Sequence, residues 1–163
     1  MSGESKGNSV STEIGDSLGQ LLGKEVSVTA IQTPREPSEI VVRYVDGASE
    51  LISAWTIERS LAWALGAALT MIPAEIVEEA IKSGTPQQEL DDNFREVVNV
   101  LATVPANLLH RRSVLESVSS EKPALQRTAR QVSAVDSSWV VLKVAVDGYA
   151  EGLLAVALLA HQG

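Results

Sequence analysis

Cysteine is absent from all 163 residues of the chain. That removes disulfides, thiolate nucleophiles and cysteine metal sites at once. Histidine is nearly absent too, with only His110 and His161. A zinc site or a Ser-His-Asp triad needs a well-placed histidine, and this chain has little to offer either. Positive charge is scarce: 13 Lys and Arg stand against 21 Asp and Glu, for a formal charge of −8. The one adjacent basic pair, Arg111-Arg112, reads as a helix-end charge. An acidic chain without a basic cluster is a poor nucleic-acid binder. No glycine-rich phosphate loop is present. The longest uncharged apolar run, Ser60 to Ala74, is short of the roughly 20 residues a bilayer requires and reads as a buried helix. The first eight residues are polar and lack an apolar signal core. A soluble, cytoplasmic protein without membrane insertion is expected.

Apolar residues make up 45% of the chain, enough for a core at this size. Residues 1–8 are expected to be a disordered tail, and 9–163 a single domain. A helix is expected from Ser9 to Leu22, ending at Gly23. Glu25 to Gln32 alternates as a strand, with Val26, Val28 and Ala30 on one face. A loop at Thr33–Pro37 follows. Two strands, Glu39–Val45 and Glu50–Ala54, meet at Asp46-Gly47, a hairpin signal. Ile57–Met71 reads as the buried helix, and Pro73 opens another at Ala74–Lys82. A long helix is expected from Gln88 to His110, kinked or cut short at Pro105. Arg112–Val118 reads as a strand and Ser119–Arg130 as an irregular or short helical connection. Ser138–Val146 and Glu151–Leu159 form a second hairpin around Asp147-Gly148. Its Val- and Ala-rich strands would offer a sheet edge for a homodimer.

The two hairpins align. Val45, Asp46, Gly47, Glu50 and Ala54 recur in register as Val146, Asp147, Gly148, Glu151 and Ala155. A helix precedes each half. The chain therefore reads as an internal duplication in the α+β class. Two pseudo-symmetric α-β-β-β halves would form a largely antiparallel sheet with long helices packed on it.

Within the long helix, Asp92, Glu96 and Asn99 follow the spacing D-x-x-x-E-x-x-N. At about 100° per residue, these three fall within roughly 40° of one another, and Thr103 extends the stripe. Phe94, Val97, Val98, Leu101, Val104 and Leu108 gather on the opposite face, as in a helix packed on a core. A carboxylate and a carboxamide one turn apart suit two tasks, pairing with a partner's cation and orienting a water molecule. They are also what any solvated helix face carries.

The flanks add to this. The spacing of Asp92, Glu96 and Asn99, followed by Pro123, resembles the signature of the CheC/CheX family of chemotaxis phosphatases. The interval to Pro123 is about one residue longer than the family pattern. The upstream Ala67-Ala68-Leu69-Thr70-Met71-Ile72-Pro73 and the acidic helix after it are also similar, and the likeness runs over roughly Ser9 to Ala160. The resemblance implies a hydrolase acting on the aspartyl phosphate of a phosphorylated CheY-like response regulator. Asn99 would align the attacking water and Glu96 would pair with the partner's lysine. Asp92 and Thr103 would contact the partner. The chain would need no cofactor of its own, because Mg²⁺ belongs to the partner. The first helix carries a degraded copy of the signature, Ser9, Glu13 and Asp16. A carboxylate at Asp16 repels a phosphoryl group and donates no N–H, and Gly15 and Gly19 weaken the helix. Those three residues also fit a plain capped, exposed helix start. Two alternatives stand beside the phosphatase. One is a non-catalytic CheC/CheX-like binding module in chemotaxis or flagellar signalling. The other is an unrelated α+β scaffold.

Overall fold

The computed structural model describes residues 3–34 and 39–159. In chain order the elements are α1 (Gly3–Leu22), β1 (Val26–Ile31), β2 (Ile40–Val45), β3 (Leu51–Ile57), α2 (Arg59–Leu69) and α3 (Ala74–Ser83). There follow α4 (Gln88–Val100), α5 (Thr103–Leu109), β4 (Val114–Ser119), α6 (Lys122–Ala134), β5 (Trp139–Val146) and β6 (Gly152–Leu158). All six strands form one sheet in the order β1-β5-β6-β3-β2-β4, and every neighbouring pair is antiparallel.

That order is unchanged when the halves are exchanged. Replacing β1, β2, β3 with β4, β5, β6, and the reverse, reads the same list backwards. The ladder agrees residue by residue. When Val45 is matched with Val146, the β3–β6 pairs Ser53↔Leu158 and Leu154↔Ile57 become each other's images, and Trp55↔Val156 maps onto itself. The duplication inferred from the paired Asp-Gly hairpins is thus present in the backbone, with the pseudo-twofold passing between Trp55 and Val156. Each half also lends a strand to the other: β1 pairs with β5, and β4 with β2.

The main core lies on one face of the sheet. Val42, Tyr44, Trp55, Ile57, Leu142, Val144 and Val156 meet Val10, Ile14 and Leu18 of α1, Leu61 and Leu65 of α2, and Phe94, Val97 and Val98 of α4. Tyr44 and Trp55 pack edge to face with ring centroids 5.0 Å apart, a favoured aromatic geometry. A smaller cluster on the other face gathers Leu51, Ala54, Ala157 and Leu159 with Val132 of α6. There the buried Arg43 is the polar anchor. Its Nε donates to Glu116 at 2.7 Å, and its Nη1 donates to Thr128 and Gln131, each at 2.7 Å. These bonds offset the cost of burying the guanidinium and tie α6 to β2 and β4.

Several expectations are corrected. The tail expected over residues 1–8 is helical from Gly3 onward. Gly7 and Val10 are buried, and a Cβ on Gly7 would lie 3.1 Å from that of Ala30, so this segment packs on β1. Helix α1 runs through Gly15 and Gly19, with Gly15 against Val28. The connection carrying Pro123 is a full helix, α6, with the proline in its first turn, where a missing N–H costs nothing. The C-terminal hairpin lies inside the sheet, so it supplies no edge; the edges are β1 and β4. Arg111 is more than a helix-end charge. It forms an ion pair with Asp46, beneath the first hairpin turn. Part of the loop expected at Thr33–Pro37, the tail residues Met1 and Ser2, and His161 lie outside the described residues.

Candidate functional site

Helix α4 presents the signature. Leu90, Phe94, Val97 and Val98 are its buried side, while Asp92, Glu96 and Asn99 are exposed on the other. Thr103, also exposed, begins α5, so the stripe crosses a break. The break comes at Leu101-Ala102, one turn before Pro105. Proline has no N–H to give the carbonyl four residues back, and its ring crowds that carbonyl; here that residue is Leu101. The Ala102 N–H turns instead to the Asn99 carbonyl, at 3.3 Å. The carbonyl of Val98, left without its helical partner, accepts from the Tyr44 hydroxyl at 2.7 Å. A buried side chain from β2 thus closes the end of α4, directly beneath Asn99.

The other end of the stripe is held by α2. Gly66 lets the two helices touch: a Cβ there would meet the Leu90 carbonyl at 2.6 Å and the Phe94 nitrogen at 3.1 Å. Asn93 donates from Nδ2 to the Gly66 carbonyl at 3.0 Å and to Thr70 Oγ1 at 2.9 Å. Trp63 Nε1 donates to Asp91 at 2.7 Å, and Arg59 lies 5.6 Å from the Trp63 ring centroid. Hydrogen bonds, a cation–π contact and one close backbone approach therefore fix the helix, and none of them uses the signature side chains.

Those side chains are free to differing degrees. Asp92 accepts from Gln88 Nε2 at 2.8 Å within its own helix. Thr103 donates to the Val100 carbonyl at 3.3 Å. The side chains of Glu96 and Asn99 have no hydrogen bond or ion pair among the described residues. The cleft beside Asp92 is small, about 240 Å³, and is lined by Arg59, Arg95 and Ser119 among others. A small-molecule site typically measures ~300 Å³ or more. A wider open groove of about 900 Å³, near Lys6, Ala30 and Trp139, includes no signature residue. Among the described residues, no group of three or more His, Asp or Glu could hold a metal ion.

The first-half copy is arranged differently. Ile14 and Leu18 of α1 are buried where Val97 and Leu101 are buried in the second half, so Ser9, Glu13 and Asp16 occupy matching positions. Ser9 and Asp16 are exposed. Glu13 is half-buried, and its carboxylate accepts from Asn107 Nδ2 of α5 at 3.4 Å. Sequence reasoning missed Asn107, Asn93 and Tyr44, since their roles rest on long-range contacts. Gly66 did leave a signal: a lone glycine in an apolar helix marks a close approach.

Solved structures match this fold. The chain is similar to FliM in the FliM–SpeE complex from H. pylori, at 14% identity and a TM-score of 0.58, covering 98% of this chain and 90% of that one. It is similar to CheX from Vibrio vulnificus, at 12% identity and a TM-score of 0.50, covering 92% and 96%. FliY from Thermotoga maritima matches at 14% identity and a TM-score of 0.50, covering 93% and 84%. The fold is therefore the CheC/CheX-like one, which the FliM middle domain shares, as the resemblance read from Asp92, Glu96 and Asn99 implied. No protein-family model and no curated protein matches the chain.

Proposed function

We propose that this chain is a cytoplasmic phosphatase for the aspartyl phosphate of a CheY-type response regulator. The observation that carries this reading is the free pair Glu96 and Asn99. They stand exposed on a helix that Tyr44, Asn93 and Gly66 hold rigidly from below. Side chains held ready on a fixed helix, and unused by the chain itself, suit a reaction in which positioning does most of the work.

In this reading α4 lies across the partner's phosphorylation pocket. Glu96 pairs with the partner's lysine and sets the register. Asn99 inserts its carboxamide and holds a water in line with phosphorus. The water oxygen bonds to phosphorus as the bond to the aspartyl oxygen breaks. Inorganic phosphate and a free carboxylate leave, with the water proton on phosphate. The partner's Mg²⁺ offsets charge on the phosphoryl oxygens. Asp92 and Thr103 touch the partner at the ends of the stripe. Ser9, Glu13 and Asp16 take no part, because Asp16 is a carboxylate and Glu13 is half-buried.

The test is incubation with each phosphorylated response regulator encoded beside this chain, in Mg²⁺, following phosphate release. Asn99→Ala should cut the rate about 100-fold with partner affinity nearly intact. Glu96→Ala should weaken affinity about tenfold as well as slowing turnover. Activity of Asn99→Ala within a few-fold of the parent sinks the assignment. A second reading, a binding module without hydrolysis, draws on the higher TM-score to FliM than to CheX. Regulator binding without phosphate release would establish it.

A further inference from the structure

Helix α2 ends beside the signature. The Ile72 N–H bonds to the Ala67 carbonyl at 2.8 Å and the Met71 N–H to the Ala68 carbonyl at 3.4 Å. This is a Schellman ending, in which the left-handed residue is usually glycine. Helices α1 and α3 end on Gly23 and Gly84, with φ of 63° and 68°. After α5 and α6 the left-handed residues are the polar His110 and Asp136, at 54° and 56°; in α2 it is the apolar Met71, at φ 61°. An unbranched apolar side chain there strains the backbone. Met71 is 78% exposed, the highest figure among the exposed large hydrophobic residues.

Its location is fixed by its neighbour. Thr70 accepts the hydrogen bond from Asn93, so the α2 corner abuts the Asn93 side of α4. Seven residues on, and within about 20° of Asn93 around the helix, stands Val100, another exposed apolar side chain. Glu96 falls between the Asn93–Val100 row and the Asp92–Asn99 row. Val100 thus borders the free carboxylate on the flank where the α2 corner, which carries Met71, meets Asn93.

We propose that Met71 and Val100 form the apolar margin of the docking surface, seated against the partner beside the lysine that Glu96 meets. The inference rests on the phosphatase reading and names a further part of the partner's surface. The partner is a phosphorylated receiver whose lysine is set in an apolar surround. Charge agrees with this choice: α4 exposes Glu89, Asp91, Asp92 and Glu96 against Arg95, and α3 exposes Glu75, Glu78 and Glu79 against Lys82, which favours a partner carrying a cation. Methionine suits such a contact, because its flexible thioether adapts to the surface it meets.

The test uses Mg²⁺-loaded receivers activated with beryllofluoride as the aspartyl-phosphate mimic, with the full-length chain. Met71→Gly removes the side chain and relieves the left-handed backbone. It should weaken binding about 5- to 30-fold, the range of a modest interface anchor, while the unfolding midpoint rises or holds. Met71→Gln, of similar length, should weaken binding as well, and Val100→Ser should do so to a lesser degree. In turnover, KM should rise while kcat stays near the parent value. Unchanged affinity in all three variants, with the parent binding a receiver, overturns this inference alone. If the parent binds none of the receivers, the phosphatase reading falls and this inference falls with it.

Discussion

The Tyr44 hydroxyl donates to the Val98 carbonyl at 2.7 Å, joining the sheet to the last turn of α4. Val98 precedes Asn99, so this bond sets the height and direction from which the carboxamide emerges. Tyr44→Phe should leave a buried carbonyl without a partner and cost about 1–3 kcal/mol, read by urea unfolding. Phosphatase turnover should fall too, although Tyr44 is fully buried and touches no partner. A Phe variant as stable as the parent would mean that water or a shifted Ala102 N–H takes over the carbonyl.

The same burial predicts a pH response. Tyr44 is held well above the usual phenol pKa by loss of solvent; Tyr149 is raised by burial and by the nearby Glu75 carboxylate. For a phenol raised in the folded state, the stabilising form is the neutral one. Its contribution is complete below the unfolded value of about 10 and is lost as pH rises beyond it. Stability should therefore show no tyrosine-linked fall until about pH 10 and should then decline. Absorbance at the phenolate band should show Tyr149 titrating first. Tyr44 should ionise only as the chain unfolds, and Tyr44→Phe should remove the second step.

Two glycine substitutions should have opposite signs. Gly66→Ala places a methyl group 2.6 Å from the Leu90 carbonyl, forcing α2 and α4 apart. Overpacking of this kind costs about 1–3 kcal/mol, more than the ~1 kcal/mol of helix propensity that alanine brings. Gly19→Ala meets only the Lys24 carbonyl at 3.7 Å, an ordinary contact, and should stabilise by about 0.5–1 kcal/mol. Thermal unfolding of both variants checks the pair.

Asp16→Asn in an Asn99→Ala background asks whether the first half can be revived. Little or no turnover is expected. The amide would be restored, but Glu13 is half-buried and its carboxylate is shared with Asn107 at 3.4 Å. Adding Asn107→Ala to the double variant frees that carboxylate. Recovery to near the parent rate without that third change would show that Asp16 alone silenced the first helix.

The outer layer of this organisation was legible from local signals. The recurring Val-Asp-Gly hairpins announced the duplication, and the 3.6-residue spacing of Phe94, Val97 and Leu101 gave the face on which Glu96 and Asn99 would stand. Pro105 marked a break, though only the lost bond to Leu101 explains why it falls four residues earlier. What stayed hidden depends on partners far along the chain. Nothing around Tyr44 points to Val98, and nothing around Glu13 points to Asn107. Arg43 lies in an otherwise apolar strand, and its three acceptors come from β4 and α6. The length of α1 was underestimated because residues 3–8 are polar and glycine-bearing, whereas their helix is supported by packing of Gly7 on Ala30.

The reversible strand order has a consequence for how the chain acquires its shape. Val26 reaches its ladder partner only when Val146 is available, and Val45 waits for Val114. Neither repeat can complete its own part of the sheet: a ribosome releasing the first half leaves β1 without its partner and the β2–β3 hairpin open on both sides. Such long sequence separations slow folding and lengthen the time that strand edges stand open. The repeats mature together or not at all, and a nick between them should leave two fragments that recover native structure only when mixed.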